Sequence, residues 1–455
     1  MIACTPRALL IALMIPLWPL SAGCENSFCR VVTDEKGTQS LVCPDGSTAP
    51  LGGSGGKNAL VRLDGEPVGA HCVHGGTAIH SGLDTDGNGV LADSEVTSTQ
   101  YVCNGGGDLL SGTLDDSYTI HSAVDAALIA DVTVITGSLT VQGPGLIDLA
   151  LPKLTRIDKD FVVDGNTQLA SLTLPALTTI GGSFTLSNHA VLTAIALPAL
   201  TSVAGTIDVR SNANLKNLGG VASLHTVGGT LYVRANPMLT DLTGLAAVTS
   251  ANALDVSQSD RLVSLAGLSG MTALPGGLRI ADNALLGTLT GLHPVTTGLL
   301  RIDNNPALTS LAGLESLTAA DGVQIDDDIA LTSLTALSAL TSTQGLAIDG
   351  DTALPSLAGL EHITSLVGDL SIQSNASLTT LSPLSAITSA RSLYVSANAK
   401  LSALSLSSLT SVALNFSITD HPLLRACLVD ALLMQLVATP GQVTTTGNAG
   451  SGTCP

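Results

Sequence analysis

A chain of 455 residues in which 12% are charged, with a formal charge of −19, is long enough for two or three domains. The acidic balance excludes nucleic acid as a partner and sets up repulsion from anionic surfaces. Mean hydropathy is positive, yet no apolar run after residue 22 is long enough to span a bilayer, so the hydrophobicity must belong to a packed core.

Residues 1–23 carry Arg7, an apolar stretch from Ala8 to Leu20 and small residues ahead of a cysteine, the pattern of a secretory signal. The segment LSAGC at 20–24 resembles the bacterial lipobox, with its Leu one place further from the cysteine than usual. That resemblance implies that Cys24 is lipidated and anchors an exported protein to the bacterial envelope, at the outer membrane or cell surface. Cys4 leaves with the signal, so six of the eight cysteines remain after Cys24, an even number that suits an oxidising compartment. Sequence-local pairing gives Cys29–Cys43, Cys72–Cys103 and Cys427–Cys454, among the fifteen pairings that six cysteines allow.

Residues 24–57 form a small Cys-bounded module that ends in the flexible linker LGGSGG at 51–56. Residues 58–107 form a second, framed by Cys72 and Cys103, and its pattern is similar to a small module of unknown role in bacterial surface lipoproteins. Inside it, Asp84 to Glu95 match the calcium loop D-x-[DN]-x-[DN]-G-x5-E. Asp84, Asp86 and Asn88 at alternate positions can converge on one ion. Val90 would add its carbonyl, Glu95 both its oxygens, and Gly89 the sharp bend. The flanks, Ile79 to Leu83 and Val96 to Thr99, look extended, so the expected cofactor is a calcium ion in a loop outside any EF-hand, stapling a small module. His71, His74 and His80 lie close to Cys72 but lack metal-site spacing.

From about residue 139 to residue 424 the chain repeats itself. One unit reads LYVRANPMLTDLTGLAAV (231–248), with apolar residues at 231, 233, 239, 242, 245 and 248: period two, then period three. The residue at the position of Asn236 recurs every 22 to 24 residues as Asn166, His189, Asn212, Asn236, Ser259, Asn283, Asn305, Asp328, Asp351, Asn375, Asn398 and His421, with Pro144 in a weaker first unit. Such a period means a solenoid. Each strand's first and third residues, such as Phe161/Val163 and Leu346/Ile348, point inward and stack in file along parallel strands. The Asn column points inward too, answering peptide groups at the turn out of each strand. The remainder of each unit is rich in Ser, Thr, Gly and Pro and has little helix propensity. The expected fold is a mainly β, right-handed parallel β-solenoid of about thirteen coils, spanning 108–455. Helical caps close it at residues 113–138, with a helix over 113–130, and at 422–455, with a helix over 423–437.

The segment DVTVITGSLTV at 131–141 resembles the opening of a receptor L domain, with its T-V-I-x-G-x-L-x-I pattern. The resemblance runs over roughly residues 118–425 and implies a straight, leucine-rich β-helical build.

On the outward face the alternation predicts two columns. One runs Val162, Thr185, Asp208, Tyr232, Asp255, Arg279, Arg301, Gln324, Ala347, Ser371, Tyr394, Ser417; the other runs Asp164, Ser187, Arg210, Arg234, Ser257, Ala281, Asp303, Asp326, Asp349, Gln373, Ser396, Thr419. Arg210, Arg234, Arg279 and Arg301 are a biased placement in so acidic a chain. Asp303, Asp326 and Asp349 repel one another, so either the arginines or a cation must offset them. A non-catalytic binding or adhesion scaffold, monomeric and presenting this face to a protein or polysaccharide, fits best. The alternatives are a calcium-dependent polysaccharide lyase or glycosidase using Asp303, Asp326, Asp349 and Arg301, and a purely structural envelope protein. Against the enzyme, the single Trp, Trp18, leaves with the signal.

Overall fold

The structure is a computed structural model, and it describes residues 30–33, 39–42, 48–51, 59–66, 76–103, 110–294 and 296–449. The chain divides into two compact units, Met1–Gly107 and Asp108–Pro455. The signal, Cys24, Cys29, Cys43, Cys72, Cys454 and residues 52–56 of the linker lie outside the described residues.

Among its described residues the first unit holds two three-stranded antiparallel sheets. One is built from Arg30–Thr33, Gln39–Val42 and Thr48–Leu51, the other from Ala59–Glu66, Gly76–Leu83 and Val96–Cys103. In the second sheet the calcium-loop segment is the connection between two strands, so both its flanks are extended.

The second unit is a parallel β-solenoid of about fourteen turns. Its main sheet starts with Tyr118–Ile120 and Leu139–Val141, and each later strand adds to the one before by in-register parallel pairing, ending with Asn415–Thr419 and Gln442–Thr444. The inward residues align in file, as in Ile207, Leu231, Leu254, Leu278 and Leu300. They belong to one buried hydrophobic cluster that runs the length of the unit. The rings of Phe161 and Phe184 stack at 5.2 Å between centroids. Each such side chain contributes about 1.5–3 kcal/mol of transfer free energy, and the period-three leucines of the arcs, Leu239, Leu242 and Leu245, are equally buried.

The outer side is extended chain and tight turns. In the early coils two further parallel sheets line it, one from Ser111–Leu114 through Thr226–Val227 and one of Asp148–Ala150, Ser171–Thr173 and Ile195–Ala196. Later coils substitute short 3-10 turns such as Thr335–Leu337 and Ser382–Leu384. The threonine richness has a use here: Thr155, Thr178 and Thr201 donate their hydroxyls to the carbonyls of Thr133, Thr155 and Thr178 in the preceding coil at 2.7–3.1 Å. Each hydroxyl adds a second bond to a carbonyl that already accepts the same threonine's N–H, tying successive coils together.

The ends differ from expectation. The helix expected over 113–130 is only Ala123–Leu128 (α1), because Ser111–Leu114 and Tyr118–Ile120 are already strands. Val124, on this helix, is 69% exposed. The helix expected over 423–437 is Ala426–Gln435 (α2), and the strand Gln442–Thr444 follows it and extends the main sheet. Each helix therefore sits within a coil, between two rungs, instead of following the last one. A short helix fits there because the strands on either side still find ladder partners. Cys427, in α2, is disulfide-bonded.

Candidate functional site: an outward sheet face and an acidic loop

The outward columns have the register that alternation demands. Asp208 pairs with Tyr232, Tyr232 with Asp255, Asp255 with Arg279 and Arg279 with Arg301; Arg210 pairs with Arg234, and Asp303, Asp326 and Asp349 stand on successive strands. Small residues in the second column, Ser187, Ser257 and Ala281, are nonetheless covered, the two serines being hydrogen-bonded to Asp164 and Asp255.

The arginines and aspartates interleave. Arg210 reaches Asp208 at 2.7 Å, and Arg234 reaches the same carboxylate at 3.3 Å with its guanidinium 4.1 Å above the Tyr232 ring. Arg279 spans Asp255 at 3.4 Å and Asp303 at 3.6 Å, and Arg301 takes Asp303 at 3.1 Å. Nε of Arg234 and of Arg301 is buried without a partner. An open hollow of about 290 Å³ lies between Tyr232, Asp255, Arg279 and Arg301, with Thr230 and Asn252 on its margin.

The acidic column is only partly offset. Asp303 has its arginines, but among the described residues no ion pair reaches Asp326 or Asp349. Asp349 accepts from Ser371 and from the Gln373 N–H, and burial still holds its pKa above the usual carboxylate range. Asp326 is pushed up to about 6, first by burial and then by Asp349 and Asp303. The three carboxylates do not gather around one point: among the described residues the only acidic group close enough to share a metal ion is elsewhere.

That group is Asp84, Asp86 and Glu95, whose nearest carboxylate oxygens lie within 4.8 Å of one another. Gly87 and Gly89 take φ of 76° and 78° and turn their N–H groups back on Asp84, whose Oδ1 accepts from Gly87 and Asn88 and whose Oδ2 accepts from Gly89 at 2.8 Å. Asn88 Oδ1 takes the Val90 N–H at 2.7 Å, and Asn88 Nδ2 donates to Asp86. Glu95 Oε1 accepts three hydrogen bonds, from the Thr85 N–H and hydroxyl and from the Asp86 N–H, while Oε2 accepts one, from Ala92. Those donors, the Thr85 hydroxyl foremost, hold Glu95 down at about 2. Of the two oxygens, Oε2 carries the fewer hydrogen bonds. Hard anionic oxygens at this spacing fit calcium.

Three more contacts frame the loop. Arg62 donates to the Leu91 carbonyl at 2.7 Å and pairs with Asp93 and Asp64. Leu91 is buried, and a Cβ on Gly82 would stand 1.9 Å from the Glu95 carbonyl. Residues 58–103 match a family model described as a domain of unknown function, DUF7151. No curated protein matches the chain. Within the matched residues His80 contacts Asp64 at 3.2 Å and Thr99 at 2.9 Å; His71 and His74 lie outside the described residues.

Sequence reasoning placed the inward column correctly: every member from Asn166 to His421 is fully buried. Three features escaped it. In the first unit the buried position is Gly143, whose N–H donates to Asn166 Oδ1, and Pro144 is exposed. The column also has a further member, Asn448, which donates to the Ile418 carbonyl at 2.7 Å. The residue just before each column position takes a left-handed conformation, including Asn188, Ser211, Ala235, Gln258, Asp282 and Asp327. The enrichment of that position in Asn, Asp and Gly was the available signal.

Proposed function

We propose that this protein is a non-catalytic binding scaffold of the bacterial envelope, exported by the signal at 1–23, anchored through a lipid on Cys24, and meeting its ligand with the outward face of the parallel sheet. The observation that carries this reading is the Arg–Asp–Tyr array around the hollow at Tyr232, Asp255, Arg279 and Arg301. Alternating donors and acceptors about 5 Å apart along the sheet axis suit a ligand with repeating polar groups, such as a polysaccharide. The parallel, leucine-lined coils support a receptor L domain-like build. A calcium ion held by Asp84, Asp86 and Glu95, with Asn88 and the Val90 carbonyl, would staple the DUF7151 module as a structural cofactor. The remaining pairings, Cys29–Cys43, Cys72–Cys103 and Cys427–Cys454, belong to the same extracytoplasmic reading.

The test is retention of envelope polysaccharides on the immobilised chain from residue 25 onward. Retention that is lost in an Arg279→Glu/Arg301→Glu variant with unchanged circular dichroism supports the scaffold. Shortening of the retained polymer on incubation replaces it with the lyase or glycosidase. Equal retention by parent and variant removes the binding face from this position. Calcium is tested separately by titration calorimetry on the same chain, and heat that is unaltered by Glu95→Gln counts against the loop.

A further inference from the structure

Two positions of the buried column carry an acid where most others carry an amide. An amide there serves two groups. Its oxygen accepts the N–H of the preceding column residue, and its Nδ2 donates to the carbonyl of the second inward residue of the preceding coil: Val209 for Asn236 at 2.9 Å, Ile280 for Asn305 at 3.1 Å, Ile348 for Asn375 at 2.7 Å and Ile372 for Asn398 at 2.8 Å. Asp328 and Asp351 keep the first of these bonds. Asp328 Oδ1 accepts the Asn305 N–H at 2.6 Å, and Asp351 Oδ1 accepts the Asp328 N–H at 2.9 Å. Their other oxygens are buried and have no hydrogen-bond partner. By the register of the sheet, the carbonyls that correspond to those of Ile280 and Ile348 belong to Ile302 and Ile325. An ionised oxygen facing a carbonyl out of water is repelled, whereas a proton on it turns the acid into a hydrogen-bonding copy of asparagine.

We infer that Asp328 and Asp351 are held in the folded protein as neutral carboxylic acids, donating from Oδ2 to the carbonyls of Ile302 and Ile325, and that coils 303–373 form a seam of the solenoid that loosens as pH rises. Most of the surroundings favour the neutral form, against the hydrogen bonds that Asn305 gives Asp328 and that Asp328 gives Asp351. On the outward face of these coils stand Asp303, Asp326 and Asp349, with Asp327 at the turn and Arg301 as the opposing cation. Along the column the neighbours are the uncharged Asn305 and Asn375, and Leu331 and Leu354 are the buried residues that follow in the same coils. Burial above all, then the neighbouring aspartates, push Asp328 up to about 7 and Asp351 up to about 9. An acid whose folded pKa lies above its unfolded value near ~4 binds its proton more tightly when folded. Its stabilisation is therefore whole below that pH, declines as pH rises, and is gone above the folded value.

The experiment is thermal unfolding of the full chain from acid to alkaline pH at constant ionic strength, for the parent, an Asp328→Asn/Asp351→Asn variant, and Asp260→Asn, an exposed aspartate several coils away, as a control. The expected result is a parent melting temperature that falls steeply toward alkaline pH. The double variant should follow a shallower curve that meets the parent at acid pH and lies above it at alkaline pH, with the control keeping the parent's gap. Parallel curves for parent and double variant overturn the proposal. So does a melting temperature that drops when sodium is exchanged for choline at fixed pH, since a buried cation would then hold the two acids. Should the double variant fail to fold, infrared spectra of the parent and of Asp326→Asn near pH 6 decide: a protonated-carboxyl band that persists in Asp326→Asn supports the proposal, and its absence there overturns it.

Discussion

Glu95 and Asp351 are both shielded acids, and they titrate in opposite directions. Glu95, at the end of the loop between two antiparallel strands, receives four hydrogen bonds and is held at about 2. Asp351, inside the solenoid, receives one N–H and has an oxygen with no partner; burial, with Asp328 beside it, carries it up to about 9. Burial is common to both. What separates them is the supply of donors: a loop with two left-handed glycines can fold its peptide N–H groups onto a carboxylate, whereas a coil interior presents one N–H and one carbonyl per rung. The loop can thus carry a charge, and with it a cation, where the coil needs a side chain that both accepts and donates.

The largest test of that contrast removes the donor and acceptor altogether. Asn236→Leu strands the Asn212 N–H and removes the side-chain donor to the Val209 carbonyl, and chemical denaturation should show a loss of about 2–5 kcal/mol at every pH. Moving the acid to a new rung comes next. Asn283→Asp should match the parent near pH 4 and fall below it by about 2–4 kcal/mol at pH 8, from a folded pKa raised by burial; a pH-independent loss would mean that the coil ionises the acid and relaxes around it. A third test uses both regions at once. Glu95 has a depressed folded pKa, so its contribution is present above the unfolded value near ~4 and lost as pH falls through about 2. Hydrogen exchange read separately in Gly76–Leu83 and in Leu346–Asp349 should show protection falling in the first and rising in the second on acidification.

The smallest effects concern the left-handed residue before each column position. Ala235 holds φ 53°, and Ala235→Gly should stabilise the chain by about 0.5–1 kcal/mol. The converse, Gly350→Ala, places a Cβ 2.2 Å from Asp327 Oδ1 at φ 76° and should cost about 1–2 kcal/mol. Both are read from denaturation midpoints.

Much of this molecule was legible because the informative spacings are local. Leu231, Val233, Leu239, Leu242 and Leu245 can face one interior only if the chain runs as strand and then as arc, and a repeat of 22 to 24 residues can stack only in register. The parallel solenoid, the buried Asn column and the composition of both outward columns follow from that arithmetic. The loop at 84–95 was legible for the same reason, since its ligand spacing lies within twelve residues. What the spacing could not supply was whatever depends on a neighbour one coil away. α1 and α2 lie within coils because the strands Tyr118–Ile120 and Gln442–Thr444 find ladder partners in the adjacent rungs. The uneven load on Glu95, three donors on Oε1 and one on Oε2, follows from the groups that the folded loop turns toward it. The proton load of Asp328 and Asp351 is set by carbonyls, amides and aspartates that approach only after stacking, because a pKa measures the field of what surrounds a group, and the tertiary fold alone brings those surroundings within reach.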